Sequence, residues 1–293
     1  MNKLKPVILA ALAAFAAAQT QSQTFASRVP DSVRKAGVLR VGTSPTYPPL
    51  EYKDPMTQKL MGLDIDLSEE IGKRLGLKVE WVEQSFDQLI NSLDTGRVDM
   101  GASGITDIPV RREKADFVDY FSTGSQLFTT SANEAKLMKA EDVCGRDVAV
   151  NRNGIFFIRL QDFNKNVCQA KGLKDIRYSL TDKTADARLQ LIQGRAVAAL
   201  QGVDAIRYMN EASNSPDKGT FTLVGEPIAV DVAGFAFAKK NAALRDLVAD
   251  AVAAMIADGT YAKIFDKWQL PYAKMKEVGI NGADRTAGKA AAK

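Results

Sequence analysis

Gly37-Val38-Leu39-Arg40-Val41-Gly42-Thr43 is a short apolar run that ends in small residues, and it reads as a buried strand. Leu63 to Leu75 follows, with apolar residues at 63, 65, 67, 71 and 75 and with Asp64 and Asp66 at its start, where negative charge favours a helix. Lys78-Val79-Glu80-Trp81-Val82-Glu83 alternates like a strand. Phe86, Leu89, Ile90 and Leu93 mark a second helix that stops at Gly96, and Val98 to Ser103 a third strand. This β-α-β-α-β order is that of a doubly wound, mostly parallel sheet.

Beyond residue 146 the same grammar recurs. Strands are expected at Asp147–Asn151, Ile176–Leu180 and Ala196–Leu200, with helices at Ile155–Val167, Asp182–Gln193 and Asp204–Ala212. Two extended stretches (221–225 and 234–239) and helices near 242–257 and 261–268 close the pattern. Two such units in one chain predict two lobes. Residues 280–293, rich in Ala, Gly and Lys, predict a disordered tail.

The amino terminus is an address. Met1 to Lys5 is positive, Val7 to Ala18 is apolar and too short to span a bilayer, and Ala16-Ala17-Ala18 suits a signal peptidase. A signal peptide over 1–18, with cleavage as late as 26, implies an exported protein without a lipid anchor. Export also bears on Cys144 and Cys168, the two cysteines of the chain. In an oxidising compartment they are a disulfide pair; the alternative is two buried thiols.

Composition closes several routes. The 293 residues contain no histidine, which removes Ser-His and Cys-His catalysis and imidazole metal ligands. Two cysteines cannot build a zinc or iron–sulfur cage, so no metal is expected. Neither a Walker loop nor a G-x-G-x-x-G after a strand occurs, so no nucleotide cofactor is expected. Net charge is +4, with Lys3, Lys5 and the last residues carrying much of the excess. A near-neutral body argues against nucleic acid as a partner.

Ligands of open parallel sheets sit beyond the carboxyl ends of strands. That rule selects 43–47, 103–106, 151–154 and 201–204 as cleft walls. Ser103, Gly104 and Thr106 offer hydroxyls and backbone N–H groups, and Arg111 could add a forked donor for a carboxylate. From spacing alone, Arg111 reads more readily as an ordinary surface residue of the run Arg111-Arg112-Glu113-Lys114. Asn153-Gly154 could use positive φ to aim helix amides at an anion, or be a plain turn. Tyr47 and Phe86 could wall the cleft or belong to the core. Asp204 reads more readily as a helix cap than as a ligand contact. Asp64 and Asp66 read as helix-start charges, not as a catalytic pair.

Several motifs in order carry more weight than any one. They are Gly37–Gly42, Tyr47-Pro48-Pro49-Leu50-Glu51-Tyr52, Gly62-Leu63-Asp64-Ile65-Asp66-Leu67, Gly104-Ile105-Thr106-Asp107-Ile108-Pro109-Val110-Arg111, Asp116-Phe117, Asp258-Gly259-Thr260-Tyr261-Ala262-Lys263-Ile264 and Lys267-Trp268. The chain resembles the periplasmic solute-binding proteins of polar amino acid ABC transporters, family 3. The resemblance implies the two-lobed type II periplasmic-binding fold, an α/β architecture whose lobes are mostly parallel sheets flanked by helices and joined by two hinge strands. Lobe 1 would be 33–123 plus 232–272, and lobe 2 124–231. It implies a non-enzymatic, monomeric clamp in the periplasm that closes on a small carboxylate-bearing solute and docks on a membrane permease. An enzyme of the cyclohexadienyl dehydratase kind, or a sensor that presents ligand to a receptor, are the alternatives on the same scaffold.

Carried over residue by residue, Tyr47 and Phe86 match the aromatic walls. Ser103, Gly104 and Thr106 match the lobe 1 contacts, and Arg111 the grip on the α-carboxylate. Asn153-Gly154 departs from the usual Gly-Thr pair. The aspartate that neutralises an α-ammonium falls at Gly202, with Asp204 two residues on as its substitute. Ser44 replaces an acidic residue of basic-amino-acid binders, and Arg152 adds a possible anion contact. Together these departures predict an acidic or neutral small carboxylate.

Overall fold

A computed structural model describes residues 25–131, 133, 137–212, 215 and 217–284. The expected signal peptide lies outside the described residues, as does the tail from 285. Strand Val38–Thr43 runs parallel to Lys78–Glu83 and to Met100–Gly101. The helix between the first two, Leu63–Leu75, buries Leu63, Leu67, Ile71 and Leu75, one per turn, against the sheet. Gly76 ends it in the left-handed region (φ 69°), its N–H returning to the carbonyls of Gly72 and Lys73. Phe25 and Val29 are buried in this core, so the first lobe reaches back past Val33, and Phe25 belongs to the folded body.

The second unit repeats the scheme. Asp147–Asn151 pairs parallel with Arg177–Thr181 and with Ala198–Gly202. Helices Ile155–Phe163, Thr184–Ile192 and Val203–Glu211 flank these strands. The helix expected through Val167 loosens into a π-helical turn over Asn164–Gln169, which holds Cys168. Cys144 and Cys168 are bonded, with Cα atoms 5.6 Å apart and a sequence separation of 24. Closing a loop of that length contributes about 3 kcal/mol by restricting the unfolded chain. Reduction is therefore expected to lower the melting temperature by roughly 5–10 °C, read by calorimetry with and without reductant. An unchanged melt would show that the bridge adds nothing to stability.

Two elements join the lobes. The strand Ala115–Thr130, 16 residues long, is antiparallel to Ala229–Ala238 over its length. Asp231 faces Thr123 midway, and the register slips between Ala233 and Gly234. Towards one end the pair borders Met100–Gly101; towards the other it borders Ala198–Gly202. The half-sheets thus merge into one curled sheet in two lobes. Rings of Tyr120 and Phe235 stack across the pair at 4.0 Å.

The last segment departs from expectation. Lys274–Ile280 pairs with the first crossing strand and turns into Ala283–Asp284. Asn281, at φ 53°, accepts from the Phe117 N–H (2.8 Å) and donates to Asp116 (3.0 Å). Gly282 N–H donates to Asp119 (2.9 Å). Residues 280–284 are therefore an ordered hairpin, because the crossing strand supplies partners that composition does not reveal.

Candidate functional site

A cleft of about 670 Å³ lies between the lobes. Tyr47, Phe86, Ser103, Gly104, Thr106, Arg111, Asn153, Gly154 and Asp204 all line it. Gly202 sits just behind, at the end of its strand opposite Ser125. The crossing strands add Thr123, Ser125 and Asp231, which no motif had marked.

Arg111 stands on the short helix Pro109–Arg112. Its Nη1 donates to the Thr106 carbonyl (2.9 Å), and its Cζ lies 5.3 Å from the Phe86 ring centre. Among the described residues it has no carboxylate in ion-pair contact, and burial pulls its pKa down to about 10 against the attraction of Asp231. Asp231 itself is held by Arg159 at 2.6 Å. Arg112 turns the other way and pairs with Asp107 (2.5 Å). The basic run thus divides into one residue for the cleft and one for the scaffold.

The lobe 1 loop is less open than expected. Ser103 Oγ donates to Glu51 Oε1 (2.9 Å) and accepts the Ser44 N–H (3.1 Å). Gly104 is left-handed (φ 51°), and its N–H donates to Asp64 (2.8 Å). The Ser103 hydroxyl and the Gly104 N–H are thus both engaged within lobe 1. Asp64 is not a surface helix-start charge either. It is wholly buried and takes the Tyr120 hydroxyl at 2.5 Å as well. Asp66 does remain at the surface, paired with Lys267.

In lobe 2, Asn153 N–H donates to Asn151 Oδ1 (2.8 Å) and Gly154 precedes the helix with φ −111°. Neither uses positive φ, so the turn is an ordinary one that points a helix start at the cleft. Arg152 pairs with Asp182 (2.9 Å) and does not line the cavity, which removes it as an anion contact.

Asp204 is more than a helix-start residue. It is fully buried, and Thr123 Oγ1 donates to its Oδ1. The Tyr47 hydroxyl, from the opposite lobe, reaches the same spot: a Cβ at Gly202 would meet both it and Asp204 Oδ1. Its Oδ2 has no partner among the described residues, and neither does Glu51 Oε2. Burial raises the Asp204 pKa and lifts Glu51 well above the ordinary range. Burial also takes Asp64 to about 7, opposed by its bonds from Tyr120 and Gly104. Glu51 has one hydrogen bond and Asp64 two, so Glu51 is the better proton carrier of that pair.

The lobes already touch. Tyr47 stacks on Phe156 with centres 6.4 Å apart, and the Tyr208 hydroxyl donates to that of Tyr52 at 3.0 Å. Glu51 is a further cleft residue to which sequence reasoning gave no role. Its signal was an acidic residue between Leu50 and Tyr52 inside the run Pro48-Pro49-Leu50-Glu51-Tyr52.

A comparison with protein families matches residues 39–271 to the bacterial extracellular solute-binding proteins, family 3. This chain belongs to that family. It is 32% identical over 257 residues to the arginine-binding protein ArgT of Corynebacterium glutamicum, covering 86% of this chain and 81% of ArgT. The L-cystine-binding protein TcyA of Bacillus subtilis is 31% identical, with 89% and 93% covered. Among solved structures, an ancestral arginine-binding protein bound to arginine superposes with a TM-score of 0.67 at 32% identity, over 79% of this chain and 98% of that one. An ancestral amino acid-binding protein described as a precursor of cyclohexadienyl dehydratase gives 0.69 at 28%, over 81% and 98%. The two-lobed type II architecture expected of family members is the one present here.

Proposed function

We propose that this chain is the exported binding subunit of an ABC importer and that it captures an α-amino acid by closing its lobes. The observation that carries the reading is an opposed pair in one cleft. Arg111 is a half-buried cation with no carboxylate in ion-pair contact among the described residues, and Asp204, on the other lobe, is a buried carboxylate with a spare oxygen. A zwitterion completes both: its carboxylate takes the Arg111 fork, and its ammonium takes Asp204 Oδ2. Of the acidic or neutral carboxylate expected, the neutral one fits better: among the described residues lining the cleft the only cation besides Arg111 is Lys183, which is exposed, whereas Asp204 and Asp231 are buried in its wall. A neutral or basic side chain fits that charge balance, in keeping with the amino acid-binding relatives.

Closure follows from differential affinity. The open form offers each charge to water, and only the shut form lets one ligand touch both. The segment 151–157 carries no carboxylate to act as acid or base, which favours capture over dehydratase chemistry.

Native mass spectrometry of freshly purified protein should show a co-purified amino acid. A saturating ligand, at a hundred times its dissociation constant, should stabilise the fold by about 2.7 kcal/mol in a thermal-shift screen. Asp204→Asn should weaken that ligand about a hundredfold while leaving the ligand-free protein at least as stable, since a buried charge is removed. No response to any amino acid, or steady turnover of prephenate or arogenate, would overturn the reading.

A further inference from the structure

We propose that Gly202 couples cation recognition to closure: its missing side chain lets the Tyr47 hydroxyl of one lobe reach the Asp204 carboxylate of the other. The proposal rests on the amino-acid capture described above. Gly202 has φ −65° and ψ 138°, which any residue adopts, so the backbone does not require glycine there. Space does. A Cβ at 202 would overlap the Tyr47 hydroxyl and lie 2.5 Å from Asp204 Oδ1. One of the two groups that crowd a side chain there is Asp204 itself; the other, the Tyr47 hydroxyl, comes from the opposite lobe and arrives only when the lobes meet.

Groups from three elements converge on this spot. Thr123 on the crossing strand donates to Asp204, and the Tyr47 hydroxyl on lobe 1 stands where a Cβ at Gly202 would meet both it and Asp204 Oδ1. The carboxylate is thus held from the hinge and met from the facing lobe, while Oδ2 stays free. When the lobes part, Asp204 loses the tyrosine and regains water. Shutting them dehydrates it again, and a cationic group on the ligand offsets that cost. A plain carboxylate cannot, so the junction discriminates zwitterions from organic acids through closure itself. It also explains why the carboxylate stands at 204: a side chain at 202 would claim the volume the tyrosine hydroxyl occupies.

The test uses the mature protein and the amino acid that most raises its melting temperature, chosen from the proteinogenic L-amino acids and L-cystine. Gly202→Ala should keep the ligand-free melting temperature and lose affinity by about a hundredfold in titration calorimetry. Solution scattering of that variant with ligand should stay at the open envelope. Tyr47→Phe alone should weaken binding about tenfold. In the Gly202→Ala background the same change should recover affinity about tenfold, because the colliding hydroxyl is gone. Wild-type affinity or full compaction in Gly202→Ala overturns the proposal, as does a double variant no better than Gly202→Ala. A wild-type protein that answers to no amino acid overturns the capture reading instead.

Discussion

Arg111→Ala is expected to abolish the ligand-induced rise in melting temperature and to leave the ligand-free protein intact. The side chain makes one hydrogen bond, to the Thr106 carbonyl, and rests on the Phe86 ring, with no ion pair among the described residues. Removing a charge that burial already disfavours costs the empty protein little. The bound state differs: a ligand carboxylate drawn into the same place would lose its counter-charge. Truncating one partner of such a pair costs about 2–5 kcal/mol, or roughly thirtyfold to several thousandfold in affinity. Arg111→Lys should recover only part, because an ammonium cannot reproduce the planar fork. Calorimetric titration of the three proteins decides the matter. An Arg111→Ala protein with wild-type affinity would remove the carboxylate assignment.

The second large effect is a pair of opposite pH slopes. Burial raises Glu51 and takes Asp64 to about 7; burial and the neighbouring Asp107 do the same for Asp119. Each group is raised above its unfolded value near 4, so the native state holds the proton over a window where the unfolded state has lost it. Their contribution is complete below about pH 4 and is lost as pH climbs towards about 7. The ligand-free protein should therefore melt progressively lower across that window. Surface carboxylates held low by a partner, such as Asp147 beside Arg177, act below the window and leave its sign unchanged.

Binding runs the other way. The ligand ammonium needs an ionised Asp204, and burial raises that group in the empty cleft. Affinity should rise with pH, by up to about tenfold per unit while one proton is released. Titrations in buffers of different ionisation heat measure that release directly. Asp204→Asn should flatten the affinity profile while the slope of the empty protein persists through Glu51, Asp64 and Asp119. An affinity that does not change between about pH 5 and about pH 8 would show that Asp204 faces no cation.

The parallel units were legible because their helices bury one stripe and show it in the spacing of Leu63, Leu67, Ile71 and Leu75. The cleft-side positions of Arg111, Tyr47 and Phe86 were legible through ordered motifs. The crossing strand was not. Residues 115–121 are buried throughout, so the alternation that announces a strand is absent. Glu51 and Asp64 were illegible for a related reason: a carboxylate at a helix start or in a hairpin usually faces water, and only packing shows that these do not.

Sequence alone determined that this is a two-unit α/β chain with two cysteines and no histidine chemistry, because local periodicity and composition are properties of neighbours along the chain. Whether Asp204 reaches the cleft, and what stands against residue 202, were decided by tertiary structure. Each depends on an atom from the opposite lobe or from a strand about eighty residues or more away in the chain, and no local pattern records such a distance.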